Sequence, residues 1–371
     1  MYVHVPFCSS RCGYCDFNTY TATELGNEVR RDSFHEVLAA EVRIAAEQLS
    51  NSQPISTVFV GGGTPILLGS DGLNYVLAEI RNSFGLVEGA EVTTEANPDS
   101  VDQQMLEDLR AGGFTRMSFG MQSAAPKVLQ ILERTHTPGA SVQAARWAVE
   151  AGFEHVNLDL IYGTPGETDD DLKASVETAL SAGIDHLSAY ALIVEEGTAL
   201  SRRILRGELA APDDDVCADR YELIDEFMTS AGMPWYEVSN WSKPGGECQH
   251  NLAYWRSQNW WGVGPGAHSH VDGRRWWNIK HPAPYADRIR LHESPSADSE
   301  LLTDVNLRTE QVMLGVRLAE GISADSFDST VLDGLASRGL IAESARNDGR
   351  VQLTLAGRLL ADAVVRELLP N

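Results

Sequence analysis

Three cysteines stand within eight residues, as Cys8-x3-Cys12-x2-Cys15, directly after a short apolar run. Thiolates bind soft and borderline metals, and this spacing puts three of them on one loop. Three cysteines can hold three irons of a four-iron, four-sulfur cubane and leave the fourth iron without a protein ligand. The amino and carboxylate groups of S-adenosylmethionine (SAM) can chelate that open iron. An electron from the reduced cluster then cleaves the sulfonium and gives a 5′-deoxyadenosyl radical. Two other readings use the same residues. A zinc ion can take the three thiolates with His4 as fourth ligand, although zinc sites more often pair two Cys-x2-4-Cys elements across a longer spacer. A redox thiol pair needs only Cys-x2-Cys. Cys217 and Cys248 stand far away and apart, and an odd, clustered set of five cysteines argues for a metal site over a disulfide framework.

Such a loop must be carried by something rigid. Short apolar runs at Tyr2–Val5, Thr57–Val60, Glu91–Glu95, Arg116–Gly120, His155–Ile161 and His186–Ala191 read as strands. Amphipathic stretches such as Ser33–Gln48, Gly72–Phe84, Asp102–Ala111 and Asp170–Ala182 lie between them. Six βα repeats predict a parallel sheet covered by helices, and right-handed crossovers curl it into an open barrel. Active sites of such barrels lie at the C-terminal ends of the strands. There the sequence places the cysteine loop, Gly61-Gly62-Gly63-Thr64-Pro65, Glu95-Ala96-Asn97-Pro98, Gly120-Met121-Gln122-Ser123, Asp159 with Gly163-Thr164-Pro165-Gly166, and Tyr190-Ala191. Asp159 sits between Leu158 and Leu160, so its side chain points opposite to theirs, toward the barrel interior or rim.

The 371 residues divide by pattern into an α/β barrel over 1–221, an aromatic- and His-rich extension over 222–298, and a small helical unit over 299–371. The last is expected to hold helices near Thr309–Leu318 and Ser329–Arg338, a hairpin around Asp348-Gly349 and a final helix from Thr354, a winged-helix-like layout. The net charge of −24 opposes nucleic-acid binding, and these segments are not basic, so a packing or lid role is expected of them. No apolar run is long enough to span a bilayer, and MYVHVPFC has neither a basic nor an apolar signal region. A cytoplasmic protein without an integral membrane segment is the expectation.

The motifs YVHVPFCSSRCGYCDF, GGGTP, TEANP, FGMQS, LDLIYGTPGET and HNLAYW (His250–Trp255) together resemble the oxygen-independent coproporphyrinogen III oxidase family of radical-SAM proteins, over essentially the whole chain. Within that family the chain looks like the branch of haem chaperones. The resemblance implies an open partial (β/α)6 radical-SAM barrel with the aromatic-rich extension and the small C-terminal unit. It implies a [4Fe-4S] cluster on Cys8, Cys12 and Cys15, and SAM contacts from Gly62, Gly63 and Thr64. It places Glu95 on the methionyl amine, Arg134 on the methionyl carboxylate, and Gln122 and Asp159 on the ribose hydroxyls. Tyr2, Tyr14 and Ala191 correspond to positions near SAM or within the cluster loop.

Two departures separate the chain from the oxidases. The oxidases carry a further cysteine two residues after the last ligand, where this chain has Phe17, and a long segment before the barrel, where only seven residues precede Cys8. A histidine can ligate haem iron and aromatics can stack on the macrocycle, so His250 with Tyr254 and Trp255 is the expected haem motif, with His268, His270 and Cys248 as other candidate ligands. The partners implied are haem, haem-accepting respiratory proteins and an electron donor. A radical-SAM enzyme acting on coproporphyrinogen III or another substrate is the alternative.

Overall fold

The computed structural model describes residues 1–25, 29–49 and 54–369. Strands β1 (Tyr2–Val5), β2 (Ile55–Gly62), β3 (Leu86–Ala96), β4 (Arg116–Gln122), β5 (His155–Tyr162) and β6 (His186–Ala191) pair in parallel in that order. Helices Phe34–Gln48, Gly69–Phe84, Gln103–Gly112, Ala140–Glu150 and Asp169–Ser181 make the five crossovers. Asp102 caps one by accepting from the Met105 amide at 2.8 Å, and Thr168 with Asp171 forms a capping box on another. The helix Ala140–Glu150 begins after Gly139 with no side-chain cap, so the sequence carries no start signal for it.

The strands alternate in a way that builds the site. Met117, Phe119, Val156, Leu158, Leu160, Leu187 and Ala189 are buried in the core beneath the helices. The residues between them, Arg116, Ser118, Asn157, Asp159, His186 and Ser188, line a cavity inside the barrel. A parallel strand covered on both faces ordinarily reads as apolar throughout, so this polar inner face has to be satisfied side chain to side chain. The Asn157 amide donates to Ser118 Oγ at 2.8 Å and Asp159 Oδ1 at 2.7 Å, and its carbonyl lies 2.7 Å from His186 Nδ1.

The stretch after the barrel adds strands to both edges of the same sheet. β7 (Trp235–Glu237) and β8 (Asn240–Ser242) are antiparallel, with β8 against β6, while β9 (Gly262–Val263) runs parallel to β1. The nine strands end in β7 on one side and β9 on the other, and these do not pair, so the barrel is open. β10 (His268–Val271), β11 (Arg274–Asn278) and β12 (Ser296–Leu301) form a separate antiparallel sheet.

The C-terminal residues have their own core around Val316, Leu335, Val351 and Val364. Helices Asp304–Gly315 and Ser329–Ser337 are present, and a final pair, Leu355–Leu359 and Ala361–Leu368, starts from the Thr354 cap. The expected hairpin around Asp348-Gly349 is present as a wide antiparallel return, with Ile341 bridging Leu353 and the Ala342 amide donating to the Gln352 carbonyl at 2.9 Å; the short helix Glu343–Asn347 fills its tip, and Gly349, at φ 74°, ends that helix. An Asp-Gly pair serves a left-handed helix stop as readily as a hairpin turn, and the residues before it decide which. A two-stranded ladder also joins Ile322–Ser323 to Arg350–Val351.

Candidate metal and cofactor site

The cluster loop leaves β1 and returns at Tyr20, whose amide donates to the Pro6 carbonyl and whose carbonyl accepts from the Cys8 amide. Its middle is pinned to the opposite rim, where the Gly13 amide donates to the Leu132 carbonyl and the Gly13 carbonyl accepts from the Leu200 amide. A Cβ on Gly13 would lie 2.9 Å from the Glu133 carboxyl carbon, so glycine lets the loop rest there. Cys8, Cys12 and Cys15 are all partly exposed and free of disulfides. His4 is committed elsewhere: its Nδ1 meets the Tyr2 hydroxyl and its Nε2 the Asn18 carbonyl, each at 2.9 Å. That removes it as a fourth zinc ligand. No three His, Cys, Asp or Glu side chains among the described residues are placed to share one metal ion, whereas a cubane takes each thiolate at a different iron.

Around this loop the structure gathers most of the expected SAM residues. The glycine run ends β2: Gly62 has φ 112°, and a Cβ on Gly63 would sit 2.4 Å from the Phe7 carbonyl oxygen. The Gly63 amide donates to Val5 and the Thr64 amide to Phe7, which holds the glycine run tight against the start of the loop beside Cys8. Glu95, level with Ser118 on β4, accepts the Gly62 amide at 3.2 Å. Burial, and then the neighbouring Asp159, push its carboxyl up to about 8, and no cation among the described residues relieves it. Asp159 is raised too, by burial, against the hydrogen bonds of Asn157, Ser188 and Ser118.

Arg134 reaches the loop from the far rim. It donates to Cys12 Sγ at 3.4 Å and to the Gly120 carbonyl at 2.6 Å, and its buried Nε has no acceptor. Gln122 lies at a bulge between β4 and β5 and takes φ 65°, so the bulge swings its amide over Gly120 toward Arg134. Glu133, at φ 56°, is the other non-glycine residue of this rim in the left-handed region, an arrangement that costs about 1–3 kcal/mol and clusters at functional sites. The orphaned guanidinium N–H and the buried carboxylate, without a cation beside it among the described residues, both fit an amino-acid end bound between cluster and strands. Tyr2 lines the cavity with Glu95 and Asp159, and Tyr14 packs with Ile131, Leu192 and Leu200 beneath the loop. Ala191 ends β6 and packs on the barrel core instead, while Tyr190 turns into the cavity.

The HNLAYW motif begins deeper in the barrel, while its Tyr254 reaches the cleft lined by Gly62 and Glu95. Gln249–Trp255 is a short helix whose first amides, at Gln249 and His250, donate to the Glu91 carboxylate at 3.0 and 2.9 Å. Glu91 is in turn held by the buried Arg116 at 3.0 Å. His250 is buried, with Nδ1 2.8 Å from Thr57 Oγ1 and Nε2 3.1 Å from the Tyr254 hydroxyl, and its ring stacks on Phe59. Thr57 stands four residues before Gly61, roughly 13 Å down the strand. His250 is thus on the cavity floor while the cysteines are at its mouth. Cys248 is buried beside Glu91, and burial pushes its thiol up to about 12. Sequence reasoning missed this floor and the Ser118–Asn157–Ser188 network; the polar residue at every second position of β4 to β6 was the signal for the network.

A profile of the radical SAM superfamily matches residues 2–179. A haem chaperone HemW of Mycobacterium tuberculosis is 54% identical over 376 residues, covering 100% of this chain and 94% of that protein. The chain belongs to the HemW family of radical-SAM proteins. The HemW protein of Bacillus subtilis is 34% identical, over 98% of this chain and 97% of its own. Among solved structures, the radical-SAM coproporphyrinogen III oxidase of Escherichia coli shares the fold, with a TM-score of 0.82 over 99% of this chain and 89% of that one, at 22% identity. The cofactors of this family's barrel are a [4Fe-4S] cluster and SAM. No helix among the described residues is long and apolar enough to cross a membrane.

Proposed function

We propose that this chain is a haem chaperone: it binds haem and passes it to respiratory haem proteins, with the cluster on Cys8, Cys12 and Cys15 and SAM held above it. The observation that carries this reading is the full-length 54% identity to a HemW haem chaperone. Phe17 supports it, since it stands where the oxidases carry a further cysteine and is 64% exposed at the cluster loop.

Within the site each residue has a task. When bound, the reduced cluster supplies an electron that can cleave the sulfonium of SAM. Gly62, Gly63 and Thr64 let the methionyl end approach the strand end closely, their own amides being committed to Glu95, Val5 and Phe7. Glu95 takes the amino group, Arg134 takes the carboxylate with a guanidinium already turned toward Cys12, and Gln122 and Asp159 hold the ribose. Asn157 and Ser118 fix the Asp159 carboxylate so that its oxygens are aimed before the ligand arrives.

Asp159→Ala should therefore weaken SAM about ten- to a hundred-fold, the loss of a charge-assisted bond of about 1.5–3 kcal/mol, while cluster content stays full. Equilibrium SAM binding with parallel iron analysis checks this, and unchanged affinity would move the ribose elsewhere. The function itself is tested by two assays side by side. The purified protein should bind haem, with a shifted Soret band, and should leave coproporphyrinogen III unconverted under anaerobic conditions with reductant and SAM. Robust turnover of coproporphyrinogen III would replace the chaperone reading with the enzyme.

A further inference from the structure

The imidazole that the HNLAYW motif offers is spent. Both His250 nitrogens are hydrogen-bonded, its ring is buried against Phe59, and it sits on the floor of the barrel. Ligating iron through either nitrogen would break one of those bonds and open the floor. A different histidine has none of these commitments. His268, the first residue of β10, is exposed and lines a second cleft of about 430 Å3, between the cluster loop and the β10–β11 hairpin. Its ring stacks on Trp277, its cross-strand neighbour, at 5.7 Å and 27°. Neither ring nitrogen has a hydrogen-bond partner among the described residues.

The cleft has the chemistry of a porphyrin edge. Phe17, Tyr254 and Trp260 present aromatic surface in it, and Phe17 is too exposed to be there for the core. Haem also carries propionates, which a chain of net charge −24 repels unless a local cation receives them. Lys280 supplies one. It is exposed, its carbonyl accepts from Asn18 of the cleft wall at 2.8 Å, and its charge, after burial, helps hold the His268 imidazole in the neutral, ligating form. Lys280 has no ion-pair partner among the described residues, whereas nearby Arg275 is bound to Glu300 and Glu310. Two residues along the same strand, His270 is buried against Trp260, and neither of its ring nitrogens has a hydrogen-bond partner among the described residues.

The geometry points to His268 as the axial ligand of haem iron, with the macrocycle standing in the cleft between the cluster loop and β10 and a propionate on Lys280. This rests on the haem-binding reading above and assigns His250 a structural place in the barrel floor. It also puts haem beside the cluster and the SAM site, since Gly62 and Glu95 line the same cleft.

The test titrates ferric haem into the cluster-loaded full-length chain and reads the Soret band by difference absorption, together with the Kd. His268→Ala should lose the wild-type band position and weaken binding roughly ten-fold or more, and added imidazole should restore the band. Lys280→Glu should weaken binding with the band unmoved, as a propionate partner would. His250→Ala should keep the band position and lower thermal stability. A His268→Ala protein with wild-type band and affinity, or a band that moves with His250→Ala alone, would overturn the assignment and leave the haem-binding reading standing. A wild-type chain that takes up no haem would sink that reading itself.

Discussion

Cys12→Ala should give a folded protein with no four-iron cluster. On the proposed assignment the three thiolates are the whole protein ligand set for the cubane, so losing one leaves two irons without a protein ligand. The fold should survive, because the loop is anchored by backbone bonds at Cys8, Gly13 and Tyr20 and not by the Cys12 side chain. The one described bond to that sulfur, from Arg134, can be lost without exposing the core, since Arg134 keeps its bond to the Gly120 carbonyl. Cys8→Ala and Cys15→Ala should behave alike. Cys217→Ala and Cys248→Ala should assemble the cluster normally, since Cys217 lies against the Gly163 turn and Cys248 on the barrel floor. Iron and sulfide per chain after anaerobic reconstitution, with the absorption band of the cluster, decide the matter. A full complement of iron in the Cys12 variant would mean that another side chain takes its corner.

Much of this site could be read from the chain because its chemistry is local. The cysteine triad lies on one loop, and a glycine run after a strand means close backbone approach wherever it occurs. Six strands were legible from their apolar runs, and Asp159 from its place between two leucines. Arg134 was not legible in that way: a guanidinium in ILERTH reads as a solvated helix residue, and only the return of that rim across the barrel mouth puts it on Cys12. The surroundings of His250 were hidden for the opposite reason. Its motif looks like a ligand among aromatics, yet its partners, Thr57 and Glu91, lie 193 and 159 residues away, and no local pattern reports them. The strands β7, β8 and β9 escaped notice for similar reasons: each has only two or three residues, and what holds them is pairing with β6 and β1.

Glu95→Gln should remove most of one proton from the SAM-binding reaction. In the SAM-free fold, burial pushes the Glu95 carboxyl up to about 8, so at pH 7 the protonated form predominates. Binding the amino group favours the carboxylate, which lowers that pKa and releases the proton. Affinity should then rise with pH up to about 8, by nearly ten-fold per unit from this group, and lose that slope above it. The glutamine variant keeps the shape and the hydrogen-bonding capacity but has no proton to give. Calorimetry at pH 7 in two buffers of different ionisation enthalpy should show fewer protons released by the variant than by the wild type, by a large part of one proton. Equal counts would place the amino group away from Glu95. The same burial acts on the SAM-free protein with a definite sign. The folded pKa lies above the ordinary 4.5, so Glu95 is without penalty below that pH, and stability drains as pH rises through about 8. The glutamine variant, free of that titration, should match the wild type in Tm near pH 4.5 and exceed it at pH 8 and above, and saturating SAM should narrow the gap by stabilising the wild type more.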